Sequence, residues 1–195
     1  MKQPYYMLPQ SLPDMITDDI KKIALNYEET DGAVGGLPGI QLPNVDTEVR
    51  RVKQRWLPIN YEETIKVHTL CTEIFQEANR RAFGVDITKI FEMFYGEYHG
   101  DDKGFYREHR DSSLGSNGDP HDRKLSMTIQ LSNSDEYEGG DFVFYDNAFE
   151  HPDKEALRQK GMAFVFPSFL LHGVQPVTKG TRKCLVAFME GPAWQ

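Results

Sequence analysis

The chain has 195 residues, 39% of them hydrophobic, which suffices for one core, and we expect one domain because typical domains contain about 100–200 residues. Its formal net charge of −8 has the wrong sign for a general nucleic-acid-binding protein, so no nucleic-acid partner is predicted. The sequence has no run of about 18 apolar residues and no apolar signal-peptide segment near its first residues, so we predict a cytoplasmic protein with no membrane partner.

Two cysteines occur, Cys71 in a predicted helix and Cys184 in a predicted strand. Neither has a second cysteine near it in the sequence, so the spacing does not indicate a zinc site or a redox pair. We interpret both as buried free thiols of a protein in a reducing compartment.

The first part of the chain combines a helical pattern with a long irregular one. Apolar residues at helical spacing predict a helix over about residues 13–27. Residues 28–48 contain several glycines and prolines and show no period, which predicts a long loop. Its stretch 30–47 is a candidate lid over a binding site, with a disordered surface loop as the alternative.

Residues 49–57 alternate basic and apolar side chains. Arg51, Lys53 and Arg55 share one face, and Val52 shares the other with Trp56. This pattern predicts an edge strand whose charged outer face opposes strand-to-strand aggregation. A basic patch that steers a substrate is the alternative interpretation.

A helix and a pair of strands are predicted next. An apolar stripe from Tyr61 onward predicts a long helix that ends at Gly84, because glycine is the usual residue just beyond a helix C-terminus. The aromatic-rich segment 90–98 predicts a strand that is covered on both faces. A turn at residues 100–104 then predicts a hairpin with the following strand.

Residues 124–132 alternate apolar and polar side chains. The apolar face is predicted to pack in the core, and the polar face, with Ser126, Thr128 and Gln130, would line a pocket if it lay inside a barrel. The polar run 112–122 before this strand predicts a loop, which is a second candidate lid.

Further short strands are predicted toward the C-terminus. They are joined by a short helical or irregular link at 153–159 and by a turn at Lys179–Gly180 between the last two strands. The predicted strands are 141–145, 162–166, 171–175 and 182–189.

The segment GFYREHRD, residues 104–111, carries the first chemical signal. His109 and Asp111 are two residues apart in a predicted strand, so their side chains are expected on the same face. An imidazole and a carboxylate presented together are two thirds of the facial triad that binds Fe(II). By itself the pair is a weak signal and is more typical of an exposed polar strand end.

A second segment supplies a further histidine and an arginine. His172 follows an apolar strand, and Arg182 comes ten residues later. Together with the first segment, these residues form an ordered series of short motifs. The series is YREHRD at 106–111, RKLSMTIQLS at 123–132, YEGGDF at 137–142, FPSFLLH at 166–172 and PVTKGTR at 176–182.

This ordered series resembles the Fe(II)- and 2-oxoglutarate-dependent dioxygenases of the prolyl 4-hydroxylase type, and is most similar to the bacterial PKHD-type hydroxylases. The resemblance covers about residues 90–192. It implies a mainly β fold with flanking helices, in which residues 90–192 form a double-stranded β-helix, or jelly roll. Residues 1–89 would supply supporting helices and loops, so that one domain spans residues 1–195.

The resemblance also implies a metal centre. His109, Asp111 and His172 would bind Fe(II), with dioxygen as a substrate and ascorbate as a further candidate cofactor. His121 competes as a ligand because Asp122 follows it. Adjacent side chains of an extended chain point to opposite sides, however, and we do not expect His121 to bind the metal.

Arg182 would anchor the co-substrate 2-oxoglutarate and thereby take part in catalysis. A planar guanidinium can form two parallel hydrogen bonds with a carboxylate, whereas a lysine ammonium cannot. The resemblance implies that Tyr98 and Gln130 also bind 2-oxoglutarate. Many family members have tyrosine at the position of Gln130, so this chain departs from the pattern there.

The resemblance further implies a substrate pocket formed in part by Tyr106, Arg123 and Phe188. Arg123 would bond a peptide carbonyl, with a loop salt bridge as the alternative. The implied activity is hydroxylation of a prolyl residue in a peptide or protein, with release of succinate and CO2. A hydroxylase of a free amino acid or other small molecule is the second hypothesis, and a non-catalytic jelly-roll binding or metal-storage protein is the third. The sequence leaves the oligomeric state open and is compatible with a monomer.

Overall fold

The computed structural model describes residues 3–33, 45–59, 61–112 and 121–193, and this part of the chain contains two antiparallel sheets and three α-helices. The helices are α1 (Asp14–Ala24), α2 (Ile65–Ala78), which continues into a π-helical turn over Asn79–Phe83, and α3 (Lys154–Arg158). The strands are β1 (Tyr6–Met7), β2 (Thr30–Asp31), β3 (Arg50–Arg51), β4 (Lys53–Trp56), β5 (Lys89–His99), β6 (Phe105–His109), β7 (His121–Gln130), β8 (Tyr137–Gly139), β9 (Phe142–Phe144), β10 (Ala163–Pro167), β11 (His172–Val174) and β12 (Val177–Pro192).

The two sheets differ in size. Within the described residues the larger sheet has the order β1-β10-β7-β12-β5-β4-β2, with β8 paired to the early part of β12. The smaller sheet has the order β3-β6-β11-β9. This mainly β architecture with few helices confirms the predicted fold class.

The larger sheet has one face in the hydrophobic core and one face toward a cavity. On β7, the side chains of Leu125, Met127 and Ile129 are at most 1% exposed and belong to the main core. The intervening Ser126 and Thr128 line the cavity. The alternation predicted for this strand is therefore confirmed at these positions, whereas Gln130 is not among the described residues that line the cavity. Helices α1 and α2 cover the core face.

The helices follow the apolar periodicity closely. The stripe predicted from residue 61 onward lies on α2, whose residues Val67, Cys71 and Phe75 are buried. The helical segment ends at Gly84, which adopts a left-handed conformation with φ of 64° as predicted. None of the helices in the described ranges has both the length and the apolar character needed to span a bilayer.

Two strand predictions were wrong in their pairing. The turn at residues 100–104 is present, but β5 and β6 lie in different sheets and do not form a hairpin. Residues 49–57 form two strands, β3 in the smaller sheet and β4 in the larger. Pairing with β2 keeps β4 from being an edge strand, whereas β3 is an edge strand of the smaller sheet, so the edge prediction is confirmed for residues 50–51 alone. Strand partners are decided by long-range burial of faces, which a local pattern does not contain.

The predicted turn at Lys179–Gly180 was also wrong, because β12 runs through it without interruption. Gly180 has φ of 69°, and the pairing register with β8 shifts between Val177 and Lys179. The left-handed glycine thus bends a continuous strand that leaves β8 and enters the centre of the larger sheet. This long strand carries Arg182 into the interior.

Gly180→Ala should destabilise the fold more than Gly84→Ala does. Both glycines have a left-handed φ, but a Cβ at Gly180 would lie 2.0 Å from the Glu136 carbonyl oxygen, whereas a Cβ at Gly84 would contact nothing within 4 Å. We expect a loss of about 1–3 kcal/mol from backbone strain at either position, with the steric clash added only at residue 180. Urea unfolding of both variants measures the difference, and equal losses would contradict the proposed close approach.

The segments 34–44 and 113–120 lie outside the described residues. They contain most of the two candidate lids, 30–47 and 112–122, so the lid function stays a prediction.

Candidate active site

Three side chains that the sequence singled out meet at one end of the smaller sheet. His109 on β6 and His172 on β11 are directly opposite each other in the antiparallel register. The Nε2 atom of each imidazole lies 3.3 Å from a carboxylate oxygen of Asp111. One ligand atom from each of the three residues lies within 4.8 Å of the other two.

Asp111 reaches this position by a bend and not by strand periodicity. Strand β6 ends at His109, and the Asp111 amide donates a hydrogen bond to the Ser168 carbonyl at 2.8 Å. The expectation that His109 and Asp111 project from one face of a strand was therefore wrong. Their side chains do converge, but through the bend. The contact with Ser168 fixes the bend.

Hydrogen bonds fix which nitrogen of each imidazole faces the carboxylate. His109 Nδ1 lies 2.7 Å from the Arg107 carbonyl oxygen, and His172 Nδ1 lies 2.8 Å from the Leu170 carbonyl oxygen. A carbonyl can only accept, so each Nδ1 must donate, and a neutral ring then presents the lone pair of Nε2 to Asp111. Two imidazole lone pairs and a carboxylate facing one another repel unless a cation lies between them.

The protonation states of Asp111 and His172 also favour a cation at this site. Burial by itself would raise the pKa of Asp111, but the positive charges that His172 and His109 carry when protonated, together with the hydrogen bond from the Ser126 hydroxyl, hold it well below its usual range. Burial is the main cause that lowers the pKa of His172 to about 4. At neutral pH the site therefore offers an anionic oxygen and a neutral imidazole, and two histidines with one carboxylate are the donor set of Fe(II) oxygenases. The residues present fit Fe(II).

A cavity of about 220 Å³ extends from these three residues between the two sheets. Arg182 on β12 lines it, is 5% exposed, and lies with its guanidinium 5.5 Å from the centre of the Tyr98 ring. Among the described residues no carboxylate forms an ion pair with Arg182, although burying an unpaired charge is costly. Such a guanidinium is suited to receive the carboxylate of a ligand.

Comparison with known proteins places this geometry in a family. Residues 93–190, about half of the chain, match the family model of the 2OG-Fe(II) oxygenase superfamily. The chain belongs to the 2OG-Fe(II) oxygenase superfamily. Oxygenases of this superfamily are, as its name states, Fe(II) enzymes that use 2-oxoglutarate, and the donor set and the buried arginine suit that chemistry.

Individual relatives support the same assignment. A PKHD-type hydroxylase of Azoarcus sp. is 34% identical over 104 residues, which are 52% of this chain and 44% of the relative. One from Gloeothece citriformis is 29% identical over 187 residues, which are 95% of this chain and 77% of the relative. The chain spans less than half the length of the first curated relatives it matches.

A solved structure shows the same fold. It is a prolyl hydroxylase in complex with a hypoxia inducible factor oxygen degradation domain peptide fragment from Trichoplax adhaerens. The TM-score is 0.69 at 17% sequence identity, and the alignment covers 95% of this chain and 83% of that one. The predicted jelly-roll architecture is thereby confirmed.

In this member of the superfamily, three aromatic rings hold the imidazoles in place. The Tyr106 ring stacks on His109 with centroids 3.5 Å apart and planes at 17°. Phe142 stacks on His172 at 5.3 Å, and Phe166 meets the same imidazole edge-on at 4.6 Å. These contacts restrict the rotation of both imidazole rings.

The two further residues predicted to bind 2-oxoglutarate, Tyr98 and Gln130, have different surroundings. Tyr98 lies in the cavity, opposite Arg182 in the strand register, and burial raises its pKa to about 12. Gln130 is buried, and its amide nitrogen donates to the Tyr137 hydroxyl at 3.0 Å. Tyr137 in turn borders the Arg182 side chain. A tyrosine hydroxyl from β8 thus lies beside the glutamine where many family members have tyrosine.

All three predicted substrate residues line the cavity. Arg123 lies on β7 and not in a loop, where its Nη2 contacts Glu92 at 2.6 Å and its guanidinium lies 4.3 Å from the Phe188 ring centre. The salt bridge considered as an alternative therefore exists, with the side chain still facing the cavity. Tyr106 and Phe188 line the same space. The competing histidine, His121, lies exposed at the start of β7.

Several residues that shape the site were not identified from the sequence. Arg50 lines the cavity and is 8% exposed. Arg50 is an even number of residues from Val52 and Trp56. The alternation at 49–57 therefore indicated that its side chain shares their face and points inward. Glu92 and Tyr98 are likewise an even number of residues apart on β5, so their side chains are expected on the same face of that strand. Tyr137 and Ser168 gave no comparable signal, because their contacts arise between distant segments.

Ser126→Ala should weaken Fe(II) binding about 10- to 100-fold, the usual effect of removing a group that orients a metal ligand. The Ser126 hydroxyl donates to Asp111 Oδ2 at 2.6 Å and also lies 2.9 Å from the Ser168 hydroxyl. Anaerobic titration with Fe(II) measures the affinity. The exposed Ser134→Ala is the control, and equal affinity of both variants would show that the hydroxyl does not orient the carboxylate.

Proposed function

We propose that this chain hydroxylates a prolyl residue of a peptide or protein, with conversion of 2-oxoglutarate to succinate and CO2. The observation that carries the proposal is the cavity that joins the His109–Asp111–His172 group to the buried Arg182, which has no carboxylate partner among the described residues. A metal site and a carboxylate site in one cavity are what a 2-oxoglutarate oxygenase requires. The PKHD-type relatives and the prolyl hydroxylase fold support the substrate class.

In this proposal each residue has a physical task. His109, Asp111 and His172 would hold Fe(II), which supplies the activation of dioxygen. Arg182 would bind the distal carboxylate of 2-oxoglutarate through paired hydrogen bonds. Tyr98 is protonated at neutral pH, as tyrosines ordinarily are, and its hydroxyl can donate to the same ligand; burial raises its pKa further, to about 12.

The open side of the cavity suits an apolar ring. The Trp56 and Phe94 rings lie 5.1 Å apart, and Phe94 lies 6.3 Å from Phe188. Arg123 caps this wall, with its Nη1 3.4 Å from the Asp111 carbonyl. A saturated pyrrolidine ring would pack on these aromatic faces, and the remaining donors of Arg123 would bond a peptide carbonyl.

The test is succinate release from 2-oxoglutarate in the presence of Fe(II), with proline-containing peptides and free proline as substrates. Mass spectrometry should show a gain of one oxygen on the substrate, in equal amount to succinate. Omitting ascorbate in a parallel series tests whether it sustains turnover. Substrate-dependent succinate without oxygen on any proline compound, but with oxygen on another small molecule, would overturn the prolyl assignment. Absence of succinate under all conditions would favour the non-catalytic alternative.

A further inference from the structure

The cavity contains a second buried arginine, Arg50, in addition to Arg182. Its guanidinium lies 4.4 Å from the ring centre of Tyr106 and 5.3 Å from that of Phe94, and thus bridges the two sheets. Nη1 donates to the Ala33 carbonyl at 3.0 Å, while Nε is buried without a partner. Among the described residues no carboxylate forms an ion pair with Arg50.

Two neighbouring arginines, unlike Arg50, have carboxylate partners. Arg51 pairs with Glu48 at 3.4 Å, and Arg55 pairs with Glu29 at 2.7 Å, although both are more exposed than Arg50. A buried guanidinium without an anion is costly, because neither water nor a carboxylate compensates its charge. Stacking on two aromatic rings offsets part of this cost. An anion that enters the cavity would offset the remainder by pairing with the guanidinium.

Arg50 and Arg182 both lie near Tyr98, but the ring contacts of Arg50 place it toward the metal ligands and the aromatic wall, which favours an anion other than 2-oxoglutarate. Arg182 lies on β12 beside Tyr98 and Tyr137, whereas Arg50 lies on β3 against Tyr106. Tyr106 is the ring stacked on His109, so Arg50 is one aromatic ring away from the metal ligands. It also contacts Phe94, a member of the aromatic wall proposed to hold the substrate ring.

We propose that Arg50 binds a carboxylate of the substrate. This carboxylate is the one attached directly to the pyrrolidine ring that is hydroxylated. This inference rests on the proposed function in that a proline ring is hydroxylated, and it restricts the substrate to a proline with a free carboxylate. The chemistry is shared by two sources, a free proline-type amino acid and a peptide that ends in proline. An internal proline carries a neutral amide at that position and would leave Arg50 without an anion.

Binding can be measured apart from turnover. The protein is loaded with Fe(II) and 2-oxoglutarate without oxygen, and L-proline, acetyl-L-proline and a peptide ending in proline are each compared with their amides. We expect the free acids to bind about 10- to 100-fold more tightly than the amides, as a charge-assisted pair of hydrogen bonds predicts. Preference for L-proline identifies the free amino acid, and preference for the longer acids identifies the peptide terminus.

Variants assign the preference to Arg50. Arg50→Gln should remove the difference between acid and amide, Arg50→Lys should retain part of it, and Arg51→Gln should leave it unchanged. Apparent KM for 2-oxoglutarate should be the same in all three. The wild-type comparison needs no variant, so a folding defect in Arg50→Gln does not prevent a decision.

The outcomes separate this inference from the proposed function. Equal binding of acids and amides by the wild-type protein, or a raised 2-oxoglutarate KM in Arg50→Gln, would overturn the role of Arg50. Arg50-dependent binding of the acids without oxygen gain would retain the carboxylate site and reject prolyl hydroxylation. Efficient hydroxylation of internal prolines with no preference for acids would support the proposed function and reject this inference.

Discussion

Asp111→Ala should lower the affinity for Fe(II) by at least about 100-fold and abolish succinate formation, because changes that only orient a ligand already cost about 10- to 100-fold. The carboxylate is the anionic member of the donor set, with both imidazole Nε2 atoms at 3.3 Å. Its removal leaves two neutral nitrogens for a dication. Asp111→Asn tests the charge with little change of shape, and we expect a similar loss.

The matched experiment uses histidines. His109→Ala and His172→Ala should lose Fe(II) to a comparable degree, whereas His121→Ala should bind it normally because His121 lies exposed at the start of β7. Anaerobic Fe(II) titration followed by an iron assay after gel filtration gives the occupancy. Iron loss in His121→Ala together with retention in His172→Ala would refute the assignment of the ligands.

Arg182→Lys should raise the apparent KM for 2-oxoglutarate about 10- to 100-fold, with a smaller effect on kcat. A lysine keeps the charge but not the planar pair of donors, and one charge-assisted hydrogen bond contributes about 1.5–3 kcal/mol. Arg182 is buried beside Tyr98, so water cannot replace the lost donor easily.

Initial rates of succinate formation at varied 2-oxoglutarate concentration measure this effect. Arg51→Lys is the control, since Arg51 lies on the opposite strand face and pairs with Glu48. An unchanged KM in Arg182→Lys would place the co-substrate carboxylate elsewhere in the cavity. A raised KM in the control would indicate a general effect of the substitution on the sheet.

The contribution of the sequence is clearest where a pattern is local. The alternation at 124–132 predicted both the core face and the cavity face of β7, and the apolar stripe predicted α2 with its terminal glycine. The convergence of His109, Asp111 and His172 could be predicted from the ordered motifs and not from strand period, since Asp111 lies in a bend that a distant carbonyl of Ser168 fixes.

What could not be predicted depended on contacts between distant segments. The division of residues 49–57 between two sheets places Arg50 in the cavity, but it results from pairing with β6 and β5. The contact between Gln130 and Tyr137 likewise joins β7 to β8. Partner choice follows from the burial of whole faces, so these features follow from the complete fold.

The donor set connects the two sheets, and this has a thermodynamic consequence. His109 and His172 belong to the smaller sheet, whereas Asp111 is held by Ser126 of the larger sheet and by Ser168, which follows β10. A metal bound by all three would act as a cross-link that exists only in the folded chain. Folding would then be linked to the concentration of free iron, with a gain of about 2.7 kcal/mol when iron exceeds its dissociation constant a hundredfold. Iron-starved cells would therefore contain less of the folded protein, in addition to less of the loaded enzyme.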